Sequence, residues 1–153
     1  MTPIVLRLLL VLLLLAGVAL AGWWWNRRDG RVRRVADDAP RVSVDHLTDV
    51  GLDLTGADAG AVLFGSPTCA PCVAVERVLA ELSASRPGFR WVKVDAADHL
   101  GFTEAHKVLR VPTLLVVDGD RRLLARTSGV PATGDLAAVL DGDGDLEREG
   151  AAA

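Results

Sequence analysis

The chain has 153 residues, half of them hydrophobic, with two cysteines, no tyrosine and a formal net charge of −3. That length holds one domain and an appendage, and two cysteines are too few for a disulfide framework or an all-cysteine zinc site within the chain. Residues 1–34 carry six arginines against Asp29, whereas residues 35–153 carry eleven Lys/Arg against nineteen Asp/Glu. A basic collar on an acidic body argues against nucleic-acid binding, which needs its basic groups on the folded module.

In chain order, Leu8 to Leu20 is almost wholly Leu, Val and Ala, and Gly22-Trp23-Trp24-Trp25 extends it. At about 1.5 Å per residue such a helix spans a bilayer core. Arg7 can snorkel at one end, and the tryptophans form an interfacial belt at the other. Residues 1–26 are therefore expected to be a transmembrane anchor. A cleaved signal peptide is the rival, because Ala19-Leu20-Ala21 fits the small-x-small cleavage pattern. The sparse positive charge before the apolar run, and the Trp run that cleavage would expose, favour the uncleaved anchor. Arg27, Arg28, Arg31, Arg33 and Arg34 flank its C-terminal end, so the positive-inside rule predicts a single-pass protein of the cell membrane with a cytosolic domain. An extracytoplasmic domain would break that rule.

Residues 27–40 read as a basic, polar linker. Arg41 to Val44 is expected to be an edge strand, Asp45 to Val50 a short helix, and Gly51 to Gly60, with three glycines, a loop. Ala61 to Phe64 is an apolar run suited to a central strand. It leads through Gly65-Ser66-Pro67-Thr68 into Cys69-Ala70-Pro71-Cys72 and an apolar helical segment from Val73 to Leu82, stopped by Arg86-Pro87-Gly88. Phe89 to Asp95 alternates as a strand, with Phe89, Trp91 and Lys93 on one side. Ala97 to Leu109 reads as a helix and Val111 to Val117 as a buried strand opened by Pro112. Asp118-Gly119-Asp120 is a hairpin turn before a strand from Arg121 to Arg126. Gly129-Val130-Pro131 is a loop, and Asp135 to Leu140 a last helix. Residues 142–153 read as a disordered acidic tail. Its Asp141-Gly142-Asp143-Gly144-Asp145 resembles a calcium loop only superficially, since Leu146 stands where the invariant glycine belongs.

The chemistry concentrates at Cys69 and Cys72. A thiol at a helix start sits at the positive end of the macrodipole, near backbone N–H groups without intrahelical partners. Both favour the thiolate, which is the nucleophile. Pro71 has no N–H to lose in a first turn, and Cys72 can reach back to close a disulfide ring. A redox-active dithiol is the expected reading. A zinc half-site completed by His46, His99 or His106 lacks the usual close histidine spacing. A purely structural disulfide across so short a loop would remove little unfolded-chain entropy.

The order β-α-β-α-β-α-β-β-α, with Cys69-Ala70-Pro71-Cys72 after the second strand, Val111-Pro112-Thr113 downstream and Gly129 after the hairpin, resembles the thioredoxin family over about residues 41–141. The resemblance implies an α/β thioredoxin-like fold, a central mixed sheet flanked by helices, here preceded by one transmembrane helix. It implies a membrane-tethered thiol–disulfide oxidoreductase with Cys69 and Cys72 as catalytic residues and Thr68 and Pro71 in support. Val111, a cis Pro112 facing the dithiol, and Gly129 would receive the client. Partners would be client proteins bearing disulfides or dithiols and an upstream thiol redox system, with no cofactor. A dithiol module that handles or docks a soft metal such as copper is the alternative. The pattern departs from the family at Thr68, where Trp is usual, and at Ala70-Pro71, where Gly-Pro is usual. Leu63 stands at the family's buried Asp and Trp91 at its Lys partner, so no buried carboxylate is expected beneath the dithiol.

Overall fold

The computed structural model describes residues 3–28, 30–35 and 41–142. The tail expected over 142–153 therefore lies, beyond Gly142, outside the described residues. Helix α1 runs Pro3–Arg28, and within it Val5–Trp24 is long and apolar enough to cross a membrane. Its described side chains are exposed, with no core to cover them.

The remaining elements are β1 (Arg33–Arg34), α2 (Val44–Asp49), β2 (Ala59–Gly65), α3 (Ala70–Ser85), β3 (Phe89–Asp95), α4 (Leu100–Ala105), β4 (Thr113–Asp118), β5 (Leu123–Ser128) and α5 (Thr133–Leu140). The sheet order is β1-β5-β4-β2-β3. Strands β2 and β3 are parallel, joined by the α3 crossover, and every other pair is antiparallel. All seven residues of β2 are buried, as a central strand covered on both faces demands.

Alternation along β2 divides the core. Ala61 and Leu63 point into a cluster with Val75, Leu79 and Leu82 of α3 and Leu136 and Val139 of α5. Val62 and Phe64 point to the other side, against Leu47 of α2 and Phe102 of α4. Helix α3 buries Cys72, Val75, Leu79 and Leu82, a stripe at helical spacing that carries the second cysteine into the core with it.

The order of elements is the expected one, but the first strand is elsewhere. Val44 begins α2, and Arg41 makes only an isolated bridge to Arg122. The edge strand is Arg33–Arg34, inside the stretch read as linker. Val32 is buried beside it, and the Gly30 and Val35 amides donate to Ser128 and Leu124 carbonyls. Two arginines flanked by single valines carry no strand period, so only pairing with β5 identifies them. Helix α4 is also shorter than the expected 97–109 segment, because the chain turns at Lys107, where φ is +49°.

On the α4 side, His106 lies edge-on to Phe102 at 4.9 Å and to His46 at 6.1 Å between ring centroids. Burial first, then His46 and the Arg126 guanidinium, hold its imidazole below the ordinary value of 6.5. A depressed folded-state pKa means that the unfolded chain takes up the proton more readily. The stability this histidine contributes is therefore complete above about pH 6.5 and is lost as the pH falls below it. The urea midpoint of the full chain in micelles should drop between about pH 7.5 and 5.5. In His106→Gln the drop should be smaller; an equal drop would show that the acid sensitivity lies elsewhere.

Candidate functional site

Strand β2 delivers the chain to the dithiol. After Gly65 the turn Ser66-Pro67-Thr68 is closed by the Cys69 amide donating to the Ser66 carbonyl at 3.2 Å. Cys69 caps α3 in an extended conformation and Pro71 occupies the first turn, where a missing N–H leaves nothing unpaired. Cys69 and Cys72 are joined as a disulfide, with Cα atoms 5.4 Å apart. Cys69 is half-buried and Cys72 has no exposed surface, while Thr68 and Pro71 are exposed around them. One sulfur is thus offered outward at the end of a 16-residue helix, and the other is held beneath it.

The second wall comes from β4 and β5. Thr113 pairs with Phe64 and with Ser128, so the segment before Thr113 and the loop after Ser128 lie at the end of the sheet where β2 delivers Cys69. The Val111–Pro112 peptide is cis. Pro112 is buried and Val111 half-buried. The Gly129 amide donates to the Pro112 carbonyl at 2.9 Å, which Gly129 achieves at a φ of +97° that favours glycine. The Thr113 hydroxyl donates to the Arg110 carbonyl at 2.7 Å and lies 3.1 Å from the Ser128 hydroxyl. Cys69, Cys72, Val111, Pro112 and Gly129 are therefore gathered at one sheet end from loops far apart in sequence.

Beneath the dithiol the sheet register shows a neighbour that the family pattern did not point to. Lys93, not Trp91, is the register partner of Leu63, and Trp91 pairs with Ala61. A methyl group built on Gly65 would lie 3.2 Å from Cys72 Sγ and 3.3 Å from Lys93 Cε, so the Lys93 side chain lies beside the buried sulfur. Lys93 Nζ donates to Glu76 Oε1 at 2.7 Å. Glu76 follows Cys72 by four positions on α3, one turn along the same face. A part-exposed Lys93–Glu76 ion pair therefore lies one turn along the α3 face that carries Cys72. The signal was present in β3, whose alternation puts Lys93 on the same side as Phe89 and Trp91. Among the described residues no cluster of three His, Cys, Asp or Glu side chains is arranged to hold a metal ion.

Solved structures resemble the chain in fold, three of them as follows. Mitochondrial thioredoxin 3 from Saccharomyces cerevisiae, in its oxidized form, superimposes with a TM-score of 0.52 at 22% identity, covering 63% of this chain and 89% of that one. This chain has the thioredoxin fold. A structure from work on thiol resolution in yeast mitochondrial 1-Cys peroxiredoxin via glutathione/thioredoxin systems matches at 0.52 and 17% identity, over 69% of this chain and 95% of that one. Thioredoxin-2, a component of the malaria parasite's protein secretion machinery, matches at 0.51 and 19% identity, covering 56% of this chain and 82% of that one. No family model and no curated protein sequence matches the chain. Within the thioredoxin fold, the bonded cysteines at the start of α3 fit thiol–disulfide exchange. The fold's sheet reaches through β1 to Arg33, so its N-terminal edge begins five residues after α1 ends.

Proposed function

We propose that the protein is a membrane-tethered thiol–disulfide oxidoreductase that exchanges disulfides with client proteins. The observation that carries this reading is the asymmetry of the bonded pair, Cys69 outward at a helix start and Cys72 enclosed. In the reducing direction the Cys69 thiolate attacks one sulfur of a client disulfide. The Cys69–client bond forms, the client's bond breaks, and the leaving client sulfur takes a proton. Cys72 then attacks Cys69, the mixed disulfide breaks, and the client departs with both sulfurs reduced while Cys69 and Cys72 are joined. An upstream dithiol restores the pair, and the reverse sequence oxidises a client. Val111 offers its backbone beside Pro112 to an extended client segment, in the manner of strand addition. Glu76, held by Lys93, accepts the proton that Cys72 must lose. Thr68 and Pro71 shape the exposed rim.

The activity test is turnover of a disulfide-bonded protein by the full chain with a small dithiol as electron source. Turnover abolished by Cys69→Ser supports the reading, and turnover equal in wild type and Cys69→Ser refutes it. The tethering test uses reporters fused to the C-terminus that are active only inside or only outside the cell. The arginine collar predicts activity of the inside-only reporter and retention in membranes after alkaline washing. Activity of the outside-only reporter would reverse the sidedness; release of a soluble species beginning near Gly22 would remove the anchor.

A further inference from the structure

The chain passes from α1 into the sheet at the dithiol end. Gly30, two residues beyond α1, donates to the Ser128 carbonyl at 2.8 Å. Ser128 is the register partner of Thr113, and Thr113 of Phe64. One row of residues therefore crosses the sheet from the α1 junction to the strand that delivers Cys69. The junction is packed on the domain and is not a free linker. A side chain on Gly30 would strike the Val130 carbonyl oxygen. Val32 is buried in the cluster that holds Leu63 and Leu136, and Arg34 donates to the Ala138 carbonyl of α5 at 2.8 Å.

These contacts limit the reach of the dithiol. From Trp24, where the apolar span ends, to Arg28 the helix rises roughly 6 Å. Two Cα steps, at most roughly 8 Å, lead on to Gly30. Strand β2 stands three strand spacings from the β1 edge, roughly 14 Å. The end of β2 that leads to Cys69 thus lies within roughly 30 Å of the apolar span. The Asp118-Gly119 turn is a further strand length, roughly 17 Å, along β4. Exposed apolar side chains favour the nearer end. Among the described residues outside α1, the exposed large apolar ones are Val44, Val73, Leu100, Leu109 and Val130. Three of them are at the dithiol end: Val73 follows Cys72, Leu109 lies in the loop that runs to Pro112, and Val130 follows Gly129. Facing a lipid interface would take part of that surface out of bulk water.

We infer that the short, packed junction holds the dithiol end of the sheet toward the membrane, so that the clients are membrane proteins whose disulfides lie near the bilayer surface. The inference rests on the tethering and the exchange proposed above. Disulfides carried far from the surface are poor substrates because Cys69 cannot travel to them.

The test reconstitutes the full chain in liposomes with a client made of one transmembrane helix, a rigid helical spacer and a disulfide-bonded loop. A membrane-impermeant dithiol supplies electrons, so that only one face is read. Spacers of about 10 and about 40 residues set the loop roughly 15 and 60 Å from the membrane. The near loop should be reduced at least about tenfold faster, since effective concentration collapses where a tether cannot span. Inserting about 40 Gly/Ser residues after Arg28 adds roughly 35 Å of mean reach and should bring the two rates within about threefold. The insertion variant should reduce a small-molecule disulfide as fast as wild type, showing that its dithiol is intact. Equal rates for the two loops in wild type, or a near-loop preference that the insertion leaves unchanged, overturns the inference while the exchange reading stands. If wild type reduces neither loop nor the small-molecule disulfide faster than Cys69→Ser does, the exchange reading falls and the inference with it. Release of the chain by alkaline washing removes the tether, and again the inference.

Discussion

Cys72→Ser is expected to accumulate mixed disulfides with its clients, and Cys69→Ser to trap almost none. Cys69 is the sulfur with surface, at the positive end of α3, where the macrodipole and the first-turn N–H groups favour its thiolate. Cys72 has no exposed surface and is bonded to Cys69. Without Cys72 the attack proceeds and the resolving step has no nucleophile, so the covalent complex persists until an outside thiol cleaves it. Recovery of client-linked protein from membranes under alkylating conditions should differ between the two variants by an order of magnitude or more, about 1.4 kcal/mol in effective barrier. Equal trapping by both, or faster alkylation of Cys72 than of Cys69 in the reduced protein, would reverse the assigned roles.

Glu76→Gln is expected to slow resolution by roughly tenfold to a hundredfold while leaving the first attack by Cys69 unchanged, the range expected on removing a positioned proton acceptor. The argument is geometric. Leu63 cannot take a proton, but Glu76 lies one turn beyond Cys72 and is held at 2.7 Å by Lys93, whose stem lies beside the Cys72 sulfur. A resolution rate within about twofold of wild type in Glu76→Gln would sink the role, because a positioned base is worth far more than that. Leu63→Asp does not restore the thioredoxin-type carboxylate for free. Leu63 is fully enclosed among Val75, Leu79 and Leu114. Lys93, across from it, is already committed to Glu76, so the full chain should lose about several kcal/mol of stability.

Much of the site was legible from residues alone. An apolar run, a Pro-containing turn and a Cys-x-x-Cys opening a helix state their own chemistry, because strand period, helix period and thiol placement are all local properties. The segment at Pro112 and the glycine after the hairpin were singled out by the resemblance to the thioredoxin family, since no local property ties either to the dithiol. The fold, with a mixed sheet and helices on both faces, follows from that order of elements, and the solved structures bear it out. The apolar N-terminal run was equally plain, since the eighteen residues from Leu8 to Trp25 carry no charge and need no partner to be recognised.

What needed the tertiary structure is whatever depends on register. Arg33–Arg34 is a strand only because β5 offers an edge to pair with; alone, its two residues carry no period. Lys93 rather than Trp91 lies opposite Leu63 because β2 and β3 pair in one parallel register, and a shift of two residues keeps every side chain on its face while changing its neighbour. Alternation therefore told which side Lys93 was on, not what it touches.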